Sequence, residues 1–180
     1  MTLIRQLEAS EAEHRLPELA AILVDAVAHG ASVNFMAGFT QADGIAFWTR
    51  QLPALQANTA LLFVAEQNDT LIATVMLTFA PQPNGPHRAD IGKMLVHSTA
   101  RRQGLGRRLL ATAEEAAHQH GRTLLLLDTE SGSPGDRLYR QCGWTELCRI
   151  PGHSFTPDGR LADATLFYKT SGPPPAHAHM

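Results

Sequence analysis

The segment Arg101–Arg108 reads R-R-Q-G-L-G-R-R. It stands between an extended apolar run, Ala89–Val96, and a helical stripe made by Leu105, Leu109, Ala113 and Ala116. Four arginines thus gather at the start of a helix, where unpaired amides already carry about half a positive charge. Arg107 and Arg108 in the first turn are disfavoured there by roughly a few tenths of a kcal/mol each, and a bound polyanion reverses that sign. Gly104 and Gly106 lack a Cβ, so backbone N–H groups can close on phosphate oxygens. With the short apolar run Leu124–Leu127 behind it, the segment becomes the turn of a right-handed parallel crossover. That unit constrains the rest of the chain to an α/β sheet flanked by helices.

Three phosphate-binding turns share this chemistry. The P-loop needs Gly-Lys followed by Ser or Thr, and Gly106 is followed by Arg107 and Arg108, so an NTPase is set aside. A Rossmann-type turn finds an acid, Asp128, about 20 residues on, but Leu109 stands where its third glycine or alanine belongs. Its glycines would also follow the strand directly, whereas Gly104 lies well past Val96. The third form, Arg-x-x-Gly-x-Gly, is spelled by Arg101, Gly104 and Gly106. A solvated basic face with turn glycines is the plain structural alternative.

Upstream, the period of Leu16, Leu19, Ala20, Leu23 and Val27 predicts a helix from His14 to His29, ended by Gly30. Thr40 and Asp43 predict the cap of a second helix with Ile45, Trp48 and Leu52 on one face, bent late by Pro53. Leu61–Glu66 and Leu71–Phe79 read as strands of a hairpin turning at Asn68 and Asp69. Past the crossover, a short helix at Asp136–Gln141, a break at Gly143 and a strand at Ala164–Lys169 complete the chain. A loose tail is expected from Ser171 to Met180.

From Leu3 to Lys169 this pattern, with L-Y-R-Q-C-G-W at Leu138–Trp144, resembles the GNAT superfamily of acetyl-coenzyme A dependent N-acyltransferases. Within it, G-A-S-V-N-F-M (Gly30–Met36), D-T-E-S-G-S (Asp128–Ser133) and P-D-G-R-L (Pro157–Leu161) resemble the tabtoxin-resistance acetyltransferases, which act on a β-lactam amino-acid toxin. The resemblance implies a mixed, mostly antiparallel sheet whose central parallel pair splays apart. It implies that Met94, Leu95 and Val96 bond pantetheine through their backbone, a backbone amide near Leu95 polarising the carbonyl. It implies a diphosphate cradle at Arg101, Arg102, Gln103, Gly104, Leu105, Gly106 and Arg107. Ser98 stands where the family often has Pro, which is expected to leave that turn softer.

Acyl transfer from a thioester to an amine needs a neutral amine, a polarised carbonyl and a proton for the departing thiolate. Tyr139 matches the family's usual general acid; a buried structural tyrosine is the alternative. Asp128 and Glu130 stand at the C-terminal end of the second parallel strand, where open sheets place ligands, and fall on one side if the strand reaches that far. They are candidates for the base or for binding the amine, although Glu130 could instead cap the next helix. Acceptor contacts are expected from Ser32, Asn34, Phe35, Trp48 and His153, with Asp128 and Glu130. A non-catalytic sensor of coenzyme A or a nucleotide, and acetylation of other amines or peptide N-termini, stay open beside a small toxin-like acceptor.

The chain's 180 residues leave room for one domain, expected over 1–170. With 17 acids against 15 bases the net charge is -2, so no nucleic-acid or anionic membrane partner is expected. No leader or membrane-length apolar run is read, which makes the cytoplasm the expected location. Cys142 and Cys148 are expected as buried reduced thiols. The nine histidines offer no zinc spacing, so no metal is expected. Whether the chain pairs into a homodimer is not legible.

Overall fold

Asn68 and Asp69 both take left-handed backbone, with φ 50° and 59°, the conformation of a two-residue type I′ turn whose twist matches the flanking strands. They join β2 (Ala60–Gln67) to β3 (Thr70–Phe79) as the turn residues predict. This computed structural model describes residues 2–172, so the expected tail lies outside the described residues apart from Ser171 and Gly172.

The hairpin belongs to a seven-stranded sheet, completed by β1 (Thr2–Gln6), β4 (Arg88–Val96), β5 (Leu124–Glu130), β6 (Thr145–Phe155) and β7 (Leu161–Thr170). The strand order is β1-β2-β3-β4-β5-β7-β6. Only β4 and β5 run parallel among these neighbours. Between them runs α5 (Leu105–Gln119), the crossover helix.

Each face of the sheet has its own core. On one, α5 and α6 (Pro134–Gln141) bury Leu105, Leu109, Leu110, Ala113 and Tyr139 against Phe63, Val75, Ile91, Leu125 and Phe167. On the other, α2 (Leu16–Ala28) and α3 (Gln41–Thr49) bury Leu19, Ile22, Leu23 and Trp48 against Leu62, Val64 and Leu95. Fully burying each such large apolar side chain contributes roughly 1.5–3 kcal/mol.

Helix ends follow their chemistry. The α2 stop is a Schellman arrangement: Gly30 (φ 79°) donates to the Val27 carbonyl and Ala31 to the Ala26 carbonyl. Thr40 and Asp43 form a reciprocal capping box on α3. The expected bend at Pro53 is instead a break. The helix stops at Thr49, and α4 (Leu52–Gln56) starts with Pro53 in its first turn, where a missing N–H costs nothing.

The helix expected from His14 to His29 is α2, which starts at Leu16 with Pro17 in its first turn; the short α1 (Ala9–His14) ahead of it was not legible. β1 and β6 were not legible. The Pro151-Gly152 pair in β6 reads as a breaker, yet β6 is an edge strand, where proline is tolerated. Cys148 lies on that edge and is exposed, a correction to its expected burial; Cys142 is half-buried, and both thiols are free. No described helix is long and apolar enough to cross a membrane.

Candidate active site

The parallel pair is short. β4 and β5 are in register only at Arg88↔Leu124, Ala89↔Leu125 and Asp90↔Leu126. Beyond Asp90, β4 stays with β3 as far as Val96, and β5 stays with β7 as far as Glu130. Each strand is held by its outer partner, so a wedge opens between 91–96 and 127–130. Backbone groups on the wedge walls lack a sheet partner there and suit an extended, amide-bearing ligand. The candidate cofactor strand Met94, Leu95 and Val96 forms one wall.

A bulge at Lys93 (φ 47°) shapes that wall, with the register shifting between Thr74 and Met76. The buried Thr74 hydroxyl fixes it by donating to the Lys93 carbonyl at 2.8 Å. The bulge reverses side-chain parity: Ile91, Met94 and Val96 pack with the α5 core, but Leu95 packs with the α2 core. Lys93 thereby turns to the α2–α3 face, its Nζ 5.2 Å from the Phe47 ring centre and 5.9 Å from that of Phe35.

The strand leads through one 3₁₀ turn, Ser98–Ala100, into the cradle. Ser98, standing where the family often has Pro, anchors this turn to a carboxylate. Ser98 donates its amide to Asp25 Oδ2 at 2.7 Å and its hydroxyl to Asp25 Oδ1 at 2.6 Å, tying the turn to α2. Burial alone would raise the Asp25 carboxyl. The Ser98 hydroxyl and amide, then His97 and His29, outweigh it and hold the group below its ordinary value.

In the cradle, Arg102 (φ 63°) and Gly104 (φ 75°) are left-handed, and α5 begins with no side-chain cap and no acid in its first turn. Free amides therefore face outward from a 15-residue helix, beside the exposed Arg102, Gln103 and Arg107. This geometry fits a diphosphate. Two arginines are less free than the sequence implies. Arg101 folds back to donate to the Val96 carbonyl at 3.1 Å, and Arg108 reaches the Thr2 carbonyl at 3.3 Å, away from the cradle. Leu105 is core, and a Cβ on Gly106 would stand 3.1 Å from Leu138, so that glycine also serves α5–α6 packing.

Tyr139 sits on α6, buried, its ring centre 6.0 Å from those of Trp144 and Phe167. Ser133, not Glu130, caps that helix, its side chain accepting from the Asp136 amide. Asp136 accepts in turn from the Gly132 amide and from Arg140, each at 2.6 Å. Burial first, then the charge of Asp128 and the Cys142 thiol, push the Tyr139 phenol far above its ordinary value, so it stays protonated.

β5 does reach Glu130, so Asp128 and Glu130 share the face opposite Leu125 and Leu127. Asp90 joins them on that face. Burial raises its carboxyl, Arg88 opposes, and the Asp128 charge raises it further. The ammonium of Lys93 is pulled down by burial while Asp128 pulls the other way. Asp90, Lys93 and Asp128 thus share one field on the α2–α3 face, and the Asp128 charge also acts on the Tyr139 phenol in the α5–α6 core.

The expected acceptor residues separate. Phe35 belongs to an aromatic wall, 4.2 Å from Phe39 and 5.5 Å from Phe47 between ring centres. Ser32 is half-buried and Asn34 exposed, left-handed at φ 73°, in the same loop. Trp48 is core rather than surface: it is 1% exposed and its indole N–H donates to the Leu19 carbonyl. His153 is exposed on edge strand β6. Lys93 was missed because strand periodicity cannot show a bulge, and Asp90, Phe39 and Phe47 because none stands in a local motif. A cavity of about 330 Å³ lies beside this face, between Val27, Phe39, Pro157 and Arg160, and neither Asp128 nor Tyr139 lines it. No cluster of three or more His, Cys, Asp or Glu that could hold a metal occurs among the described residues.

A splayed parallel pair, a basic glycine turn at a helix start, and a phenol facing carboxylates across the gap define an acyl-coenzyme A dependent acyltransferase. Residues 24–144 match the acetyltransferase (GNAT) family, and the chain belongs to that family, with acetyl-CoA as its acyl donor. Its fold is similar to a ribosomal-protein-alanine N-acetyltransferase from Brucella melitensis: TM-score 0.78, 24% identity, covering 94% of this chain and 99% of that one. It is similar to the yncA protein of Salmonella typhimurium, solved with its cofactor acetyl-CoA: TM-score 0.80, 18% identity, covering 100% and 99%. A candidate phosphinothricin N-acetyltransferase matches with TM-score 0.74 and 19% identity, covering 94% and 98%.

Proposed function

We propose that this acetyltransferase acts on the amine of a small, amino-acid-like acceptor, in the manner of a toxin-resistance enzyme. The observation that carries this is the wedge bracketed by Tyr139 on one face of the sheet and Asp128 on the other. Similar structures name acceptors as different as a ribosomal-protein alanine and phosphinothricin, so the fold does not choose among them. What supports a small molecule over a long polycation is that the acids of the site are few and its wall is aromatic.

Acetyl-CoA supplies the thioester. Its acetyl end would lie in the wedge, with the Leu95 amide at the carbonyl and the cradle amides at the diphosphate. On the α2–α3 face, Asp128 takes the proton that frees the acceptor nitrogen, directly or through water, with Glu130 holding the acceptor. As the N–C bond forms and the C–S bond breaks, Tyr139 gives its proton to sulfur from the opposite face.

The two groups are coupled. The charge of Asp128 is one cause of the raised Tyr139 phenol; once Asp128 is protonated that charge is gone, and Tyr139 becomes a better acid at the moment it is needed.

Two of the stretches that resemble the β-lactam toxin enzymes lie side by side: Ala37, just past the Gly30–Met36 loop, donates to the Pro157 carbonyl at 3.0 Å. Purified protein, acetyl-CoA and a panel of β-lactam amino acids, ordinary amino acids, polyamines, aminoglycosides and peptides test the proposal. Thiol release dependent on small amino acids is expected; release only with peptides or polycations would overturn the acceptor class.

A further inference from the structure

Lys93 is a cation to which the proposed acetyl transfer gives no role. Its backbone is held left-handed by the bulge, its ammonium is partly buried beside Phe35 and Phe47, and it makes no ion pair or hydrogen bond with another described residue. Neighbouring cations stand with acids: Arg160 pairs with Asp158 at 2.7 Å, Arg101 lies 3.7 Å from Asp25, and the Arg88 charge acts on Asp90. A desolvated ammonium with no paired carboxylate is costly, and proteins keep one when a ligand completes it. Asp128 acts on it as part of the surrounding field, not as a contact partner.

The chemistry of the face is therefore mixed: Arg88 offsets Asp90, and Asp128 and Glu130 stand with the Lys93 ammonium. A diamine or polyamine would be served by the acids and repelled by Lys93. A zwitterion uses both signs. We infer that Lys93 binds the carboxylate of the acceptor, so that the acceptor is an amino acid whose amine faces Asp128 and whose side chain lies along Phe35, Phe39 and Phe47.

This inference rests on the proposed acetyl transfer, and its test separates the two. Kinetics are compared for amino acids and for their carboxamides, in wild type and in Lys93→Met and Lys93→Arg, with melting temperature and acetyl-CoA affinity confirming that each variant is folded. The wild type should favour the free acid over the carboxamide. Lys93→Met should raise KM for the acid by about 10- to 100-fold, the scale of a lost hydrogen bond to a charged group. It should leave KM for the carboxamide within about twofold, and Lys93→Arg should restore part of the acid's affinity. Equal losses for acid and carboxamide would overturn the inference and make Lys93 an electrostatic neighbour of Asp128. A wild type blind to the carboxylate would overturn it alone, and a wild type that acetylates no amine would overturn the transfer reading as well.

Discussion

Asp25 and Ser98, 73 residues apart, join the end of α2 to the turn that opens the cofactor cradle through two hydrogen bonds to one carboxylate. His29, His97 and Arg101 stand within 3.3–3.7 Å of the same group. Because α2 also leads into the loop of Ser32, Asn34 and Phe35, this carboxylate ties that side of the crevice to the turn before α5.

Ser98→Pro removes both the N–H and the hydroxyl and leaves Asp25 without either bond. A loss of about 1.5–3 kcal/mol in stability is expected, the range for hydrogen bonds to a charged group, together with weaker acetyl-CoA binding. The Asp25 carboxyl is depressed in the folded state, so its contribution is fully present above the unfolded value near 3.9 and is lost as pH falls through the folded one. Denaturant melts of wild type and Asp25→Asn should therefore differ most at neutral pH and converge on acidification.

Tyr139 and Asp128 predict a spectroscopic coupling. Removing the Asp128 charge should lower the phenol's titration toward its ordinary range, since that charge is one of its causes. Ultraviolet titration of Asp128→Asn should show the shift in one of the chain's two tyrosines, with Tyr139→Phe assigning the signal. Loss of the acid in Tyr139→Phe should cut kcat by roughly 10²- to 10⁴-fold. In the wild type, no alkaline fall in kcat should come from Tyr139 below pH 10.

Gly44 sets the spacing of α3 on α2. A Cβ there would meet Ala20 Cβ at 2.8 Å and Ala20 Cα at 3.0 Å. Gly44→Ala must push the helices apart, costing about 1–3 kcal/mol. Since α3 carries Phe47, acceptor KM should rise more than acetyl-CoA KM; equal changes in both would place the aromatic wall outside the acceptor site.

The crossover, the hairpin and the Thr40 cap were legible because each rests on local chemistry: a glycine turn, an Asn-Asp pair, a Thr with an acid three residues on. Edge strand β6 was hidden by a proline its edge position tolerates. Trp48 read as an acceptor contact because helical periodicity shows that a face is apolar, not which way it points. Lys93 was invisible for a sharper reason: strand alternation assigns it to the α5 face, and only the bulge, fixed from a distance by Thr74, turns it toward Asp128.

The wedge between β4 and β5 is where acetyl-CoA is proposed to lie, and amide hydrogen exchange with and without acetyl-CoA tests that placement directly. Exchange should slow at residues 94–96 and 102–107, the wedge wall and the cradle, while β1 and β6 stay unchanged. Saturating acetyl-CoA that protects neither stretch, or protects only the cavity beside Val27 and Arg160, would contradict it.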